Sequence, residues 1–268
     1  EKYLGAWQKG NVPAQQFEKS AKPAKTYVAV VDRPSSVQSV VTIATPIQLV
    51  KGAPNDIASN VMNNILGGGF SGRLFANLRE KHGFTYGAYS SLQSNKYVGI
   101  FKAEASVRNE KTDSSIQETL AEINKIRSEK VGEDELSRMK NYLAGGFARS
   151  LENPTTIAGF ALNIDKYNLP ADYYQKYLTN LALVSAAQVQ EVATSLLQPS
   201  QMHIVVVGDA KQVAKGLEKY GEVKYFDIEG NEVAAPKEVK ADASLTVEKL
   251  LNNTIQAMGG KEQIEKIK

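Results

Sequence analysis

Apolar and polar residues alternate along Tyr27–Asp32 and again along Val37–Thr45, two valine-rich runs. A period of two marks a half-buried strand, and Arg33-Pro34-Ser35-Ser36 between the runs reads as the connecting turn. The period then changes. From Asn55, Ile57, Val61 and Ile65 recur every fourth position, with Met62 and Leu66 beside them, and predict a helix to Leu66. A second helix is predicted over Gly72–His82, with Leu74, Phe75 and Leu78 on one face, Ser71 as its cap and Gly83 as its stop. Between the two helices, the glycines from Gly67 on are expected to take left-handed φ. Tyr86–Ser94 and Val98–Val107 return to strand character around Asn95-Lys96, a weak hairpin turn.

A helical block follows. Ile116, Leu120, Ile123 and Arg127 share one stripe of Asp113–Ser128, and Leu136, Met139, Leu143 and Phe147 share one of Glu133–Leu151. Asn153-Pro154 caps and opens a helix over Pro154–Tyr167, and Leu169-Pro170 breaks the pattern. Ser185 with Gln188 forms a capping box for a helix to Leu197. The run His203-Ile204-Val205-Val206-Val207 is a buried strand, followed by a short helix over Gln212–Tyr220 and a strand over Val223–Asp227. Strands at both ends with helices massed between them predict an α+β fold, a largely antiparallel sheet packed on one face by helices. A repeated βαβ rhythm is missing, which argues against a doubly wound sheet.

Composition narrows the chemistry. The chain has 268 residues, 42% hydrophobic and 23% charged, with a formal net charge of +3. That is an ordinary globular composition. The basic residues are spread out, so no block points to nucleic acid. No apolar run reaches the roughly eighteen residues a membrane span needs. There is no cysteine, which removes disulfides and thiol chemistry. The opening EKYLGAW has no signal-peptide pattern and reads as cut from a longer chain. The acidic run Glu133-Asp134-Glu135 sits at a helix start, where carboxylates stabilise the dipole, and Tyr173, Tyr174 and Tyr177 read as packing.

The densest glycine cluster lies in Ile65–Ser91, ILGGGFSGRLFANLREKHGFTYGAYSS, with one of only two histidines. Gly67, Gly69 and Gly72 satisfy the dinucleotide fingerprint, but a helix precedes them where a strand is required. As a phosphate loop the stretch fails too, because Arg73-Leu74 stand where Lys-Ser/Thr must be. The same stretch carries Gly67-Gly68-Gly69, Ser71, Arg73-Leu74-Phe75, Leu78-Arg79-Glu80 and Gly83-Phe84-Thr85-Tyr86 in order. That series resembles the non-zinc, C-terminal half of the pitrilysin/insulinase-type (M16) metallopeptidases, and a weaker likeness runs from about Glu1 to Gly230.

The resemblance implies a half-chamber fold. Residues 26–230 would be the M16-like domain, 1–25 the end of a preceding domain and a linker, and 231–243 a second linker. Residues 244–268, a fresh amphipathic helix (Leu245, Leu250, Leu251, Ile255, Met258) ended by Gly259-Gly260, would begin a further module. That last segment is similar to the opening of a domain of bacterial envelope proteins, which implies a periplasmic or envelope location. The family's zinc motif, His-x-x-Glu-His, cannot be built around His82 or His203. The resemblance therefore implies no metal site and no cofactor in this chain, with zinc in a partner half, and no cleavage by the chain alone. In the family, an arginine and a tyrosine seven residues apart meet the substrate backbone or the carbonyl oxygen that gains charge. This carries over to Arg79 and Tyr86 as catalytic residues and to Phe75, one turn earlier, as a substrate-binding wall or a core residue. The implied partners are a zinc-bearing N-terminal half or partner subunit and an unstructured peptide substrate, with a homo-oligomer as another association. A catalytically inactive relative that serves assembly or binds peptides is the alternative function.

Overall fold

The strands form where alternation was clearest. In the computed structural model, β1 (Tyr27–Asp32) and β2 (Gln38–Ile47) are followed by helix α1 (Asp56–Leu66). The α-helical turn α2 (Arg73–Phe75) runs straight into a π-helix over Ala76–Lys81, and the hairpin β3 (Thr85–Gln93) and β4 (Gly99–Arg108) follows. Then come α3 (Thr112–Ser128), α4 (Glu133–Ser150), α5 (Pro154–Tyr167), α6 (Tyr177–Leu183) and α7 (Ala186–Leu196). Strand β5 (His203–Gly208), the short helix α8 (Ala210–Val213) and strands β6 (Glu222–Phe226) and β7 (Glu232–Val233) complete the unit. The structure describes residues 2–3, 5–8, 10–11, 17, 21–236 and 246–266. Parts of the expected 1–25 linker, residues 237–243 of the second linker and the Ser244-Leu245 start of the last helix lie outside the described residues.

The chain divides into two units, Glu1–Ala234 and Ala235–Lys268. In the first, the described strands make one seven-stranded sheet in the order β3-β4-β2-β5-β1-β6-β7. β1 pairs in parallel with β5 and β6, strands from the far end of the chain, and every other pairing is antiparallel. The sheet is therefore largely antiparallel, as the pattern of elements predicts.

Period-two sequence gives the sheet two unlike faces. Along β2, Ser39, Val41, Ile43, Thr45 and Ile47 are buried, while Gln38, Val40, Thr42, Ala44 and Pro46 are exposed or half-buried. The buried face carries the core: Ile43 and Phe101 from the sheet, Ile65 and Leu66 from α1, Leu78 from the π-helix, Ile116 and Ile123 from α3, Val189 and Leu197 from around α7. Truncating a buried phenylalanine such as Phe101, 0% exposed, costs about 3–5 kcal/mol.

Local chemistry sets the ends of α5 and the start of α7. The Asn153 side chain accepts from the Thr155 N–H, Pro154 opens α5, and Asn168 closes it in a left-handed conformation. The Ser185–Gln188 capping box is formed in full. Besides the π-segment within the helix expected over Gly72–His82, three elements differ from expectation. The helix expected over Gln212–Tyr220 is two pieces, because Gly216 at φ 87° separates α8 from a 3-10 turn over Leu217–Tyr220. The segment expected as a linker from 231 on supplies β7, which pairs with β6. α6 was not anticipated.

The second unit holds α9 (Val247–Ala257), whose N-cap Thr246 hydroxyl accepts from the Lys249 N–H, and α10 (Lys261–Ile264). Gly259 and Gly260, both at positive φ, end α9 where expected. Its Val247, Leu250, Leu251 and Met258 are exposed.

Candidate functional site

The glycine cluster brings α1 against β3. The Ser90 N–H donates to the Gly67 carbonyl at 2.7 Å, and the Ser90 hydroxyl donates to Asn63 O at 3.2 Å. A Cβ on Gly67 would stand 2.6 Å from the Ser90 nitrogen, and one on Gly72 would stand 2.7 Å from the Gly67 Cα. None of Gly67, Gly68, Gly69 or Gly72 has a left-handed φ. These glycines are there for close backbone approach, not for the positive φ expected of them. Gly72, not Ser71, is the N-cap of α2 and makes no side-chain bond.

Two polar anchors fix the helix that follows. The Arg73 guanidinium grips Glu135, at the start of α4, with a two-pronged bond of 2.9 and 2.7 Å. This raises the arginine's pKa, and the same bond holds the Glu135 carboxyl below its ordinary range. One turn on, the Asn77 side chain is buried and its amide donates to Glu118 and Glu122 of α3 at 3.0 and 2.7 Å. From Ala76 to Lys81 the backbone adopts π geometry, seen in the His82 N–H donating to Asn77 O at 3.1 Å. Gly83 at φ 61° ends the segment, and the Phe84 N–H closes back on Leu78 O at 2.9 Å.

Arg79 projects from this π-segment, exposed, with its guanidinium carbon 4.7 Å from the centroid of the Phe75 ring. Among the described residues it has no ion-pair partner. Tyr86 comes from a different element. The register of β3 against β4 shifts between Thr85 and Ala88, so Tyr86 and Gly87 together face the single residue Ser106. This is a β-bulge, a device that re-aims a side chain. Thr85 holds it: its hydroxyl accepts from the Gly87 N–H at 3.1 Å and lies 2.6 Å from the Ser106 carbonyl oxygen. A Cβ on Gly87 would meet the Tyr89 ring at 2.7 Å, so a larger residue there would displace that ring. The result is a tyrosine 87% exposed.

Arg79 and Tyr86 line one cleft of about 330 Å³. Gln38, Ser106 and Arg108 complete its polar wall, and no carboxylate lines it. Phe75 is outside the cleft and only 4% exposed. Its ring meets Phe70 edge-on at 5.2 Å and Tyr89 at 5.8 Å, leaving little surface for the expected substrate wall. Its contact with the site is the stacking of Arg79, and the outward aromatic of this group is Phe70, 74% exposed.

The two histidines stand apart. His82 ends the π-segment and stacks on Phe84 with ring centroids 4.9 Å apart. His203 opens β5 and meets Tyr27 edge-on at 5.0 Å, and burial lowers its pKa. Among the described residues no group of three or more His, Cys, Asp or Glu is placed to hold a metal ion. Among the described residues no helix is long and apolar enough to cross a membrane.

A family model described as the peptidase M16 inactive domain matches residues 1–143, just over half of the 268. The chain belongs to the peptidase M16 inactive-domain family. A crystal structure of a peptidase M16 inactive domain from Pseudomonas fluorescens is 28% identical, with a TM-score of 0.67 over 73% of this chain and 46% of that one. A protease from Helicobacter pylori has the same fold, at 19% identity and a TM-score of 0.69, over 77% of this chain and 50% of that one. A relative from Rickettsia felis named as an uncharacterized zinc protease is 39% identical over 90 residues, 33% of this chain and 21% of that protein. The chain thus spans about a fifth of the length of that relative.

In this M16 inactive domain, sequence reasoning singled out Arg79 and Tyr86 and missed Arg108 and Gln38. The strand read as Val98–Val107 stopped one residue short of Arg108. The alternation Lys102, Glu104, Ser106, Arg108 would have put that arginine on the open face, but only the register against β2 pairs it with Gln38.

Proposed function

We propose that this chain is the non-zinc half of a peptide-hydrolysing assembly, in which Arg79 and Tyr86 bind the substrate and its transition state. The observation that carries the reading is the shared cleft. A π-segment and a bulged strand, both costly departures from regular structure, deliver an unpaired guanidinium and an exposed phenol to the same space. Both groups donate hydrogen bonds. Donors fixed in advance where a carbonyl oxygen gains negative charge lower the barrier, since they need not reorganise during reaction. Phe75 serves by holding the guanidinium over its ring, a contact worth about 0.5–1 kcal/mol at an exposed site.

Zinc belongs to the partner in this reading, as an N-terminal half or a separate subunit, and the substrate is an unstructured peptide. Residues 26–234, with β7 included, are the half-chamber, 235–243 a linker and 244–268 the start of another module. α5 supports association: none of its residues is buried, and Ile157 and Leu162 are exposed at 49% and 70%.

The test is Tyr86→Phe in the assembly with the zinc half supplied. It removes one hydroxyl and almost no volume, so the melting temperature should not move. If the hydroxyl meets the developing oxyanion, kcat falls about a hundredfold. If it holds only the substrate backbone, KM rises instead. Normal kcat and KM would return this chain to an assembly or peptide-binding role without catalytic contribution.

A further inference from the structure

We propose that the cleft beneath Tyr86 is a carboxylate-binding subsite, in which Arg108 joins Arg79 to hold a carboxylate of the peptide. This deepens the peptide-binding reading above and rests on it.

The charge inventory carries the inference. The open face of β4 presents Lys102, Glu104, Ser106 and Arg108 in sequence. Lys102 and Glu104 neutralise each other at 3.1 Å. Arg108 engages Glu110 through Nε alone, at 3.2 Å, and Glu110 stands outside the cleft with its side chain 68% exposed. The two terminal nitrogens of Arg108 remain for a ligand. Arg79, held by its stacking on Phe75 and not by any ion pair, brings a second guanidinium to the same lining. Lys111 adds a third cation beside it, with its ammonium 5.8 Å from the Phe84 ring, and Phe84 itself lines the cleft. Two permanent positive charges thus share about 330 Å³ with no carboxylate among the lining residues.

An anion entering the cleft is attracted by both guanidiniums. Guanidinium forks match a carboxylate in plane and spacing, which an ammonium does not. The remaining lining groups that point to the choice of ligand, the Tyr86 and Ser106 hydroxyls and the Gln38 amide, can each donate to an oxygen. An unstructured peptide offers a carboxylate from two sources, its C-terminus or an aspartate or glutamate side chain.

Fluorescence anisotropy of labelled peptides on the full chain tests this. Three peptides are built on one parent sequence without acidic residues: the parent with a free C-terminus, the parent amidated, and an amidated version with a single internal glutamate substituted in. We expect the free-acid or the glutamate peptide to bind about tenfold tighter than the amide, and added salt to erase the difference. Whichever of the two gains affinity identifies the source. Arg108→Gln should abolish the preference, bringing the favoured peptide down to the affinity of the amide. Glu110→Gln, which removes the negative charge beside Arg108, should strengthen the preference, an effect a merely structural residue would not produce. If Arg108→Gln keeps the full preference while Arg79→Gln and Tyr86→Phe weaken all three peptides, the carboxylate subsite is wrong and the peptide-binding reading stands. If none of the three peptides binds, both are overturned.

Discussion

Replacing one glycine at a time separates the two explanations for the cluster before Arg73. At Gly72 an added Cβ would meet the Gly67 Cα at 2.7 Å and the Gly67 nitrogen and Gly69 oxygen at 3.1 Å, all of them backbone. No side chain can swing away to make room. At Gly69 the nearest atom is the Tyr142 hydroxyl, at 4.0 Å. Neither residue has a left-handed φ. Overpacking against fixed backbone costs about 1–3 kcal/mol, so Gly72→Ala should lower the melting temperature by roughly 3–10 °C in a chain of this size. Gly69→Ala should be neutral, or stabilising by up to about 1 kcal/mol through lost freedom of the unfolded chain. Urea unfolding followed by circular dichroism measures both, and the slope with denaturant should stay unchanged if the native fold is retained. Equal losses at the two positions, or a Gly72→Ala protein as stable as the parent, would refute the close-approach argument.

The other expectations concern charges. Glu135→Gln should cost about 1–3 kcal/mol in unfolding free energy by leaving Arg73 with a weaker partner in a half-buried site. Because the Glu135 carboxyl titrates below its unfolded value, its stabilisation is complete above the unfolded pKa and disappears as pH falls through the folded one, so the variant's deficit should shrink in acid. Tyr173 donates to Asp56 at 2.9 Å, and burial with that carboxylate pushes its phenol pKa upward. Ultraviolet titration of the twelve tyrosines should show it ionising among the last, and Asp56→Asn should bring it forward. The purified chain should hold no stoichiometric zinc by metal analysis after gel filtration, and one tightly bound ion per chain would contradict the donor geometry.

Much of the fold was legible because its causes are local. Tyr27–Asp32 and Pro154–Tyr167 have the bounds that alternation and the Asn153-Pro154 pair predict. The Ser185–Gln188 box is likewise a four-residue signal. What escaped has distant causes. The stretch after Phe75 reads as an ordinary helix, since nothing in its own sequence shows Asn77 held by Glu118 and Glu122 more than forty residues away. β7 is two residues long with no pattern to read, and exists because β6 offers it an edge. The cleft has the same character. The residue types Arg79 and Tyr86 stand out in the motif, but the bulge that turns Tyr86 outward is a property of the β3–β4 register. Arg108 joins them only through that register.

The π-segment also makes the site sensitive to chain length in one direction. A π turn closes one residue later than an α turn, so residues beyond it lag the α-helical phase by about one step, roughly 100° of rotation. Losing the single residue between Asn77 and Arg79 means losing Leu78, 0% exposed in the core, so the helix would relax into regular α geometry only by giving up that packing. The phase of everything downstream would then advance, swinging the guanidinium off the Phe75 ring and away from the cleft. A folding assay and a site assay would both register such a deletion, whereas substitutions at the exposed Glu80 and Lys81 would leave the rotation intact.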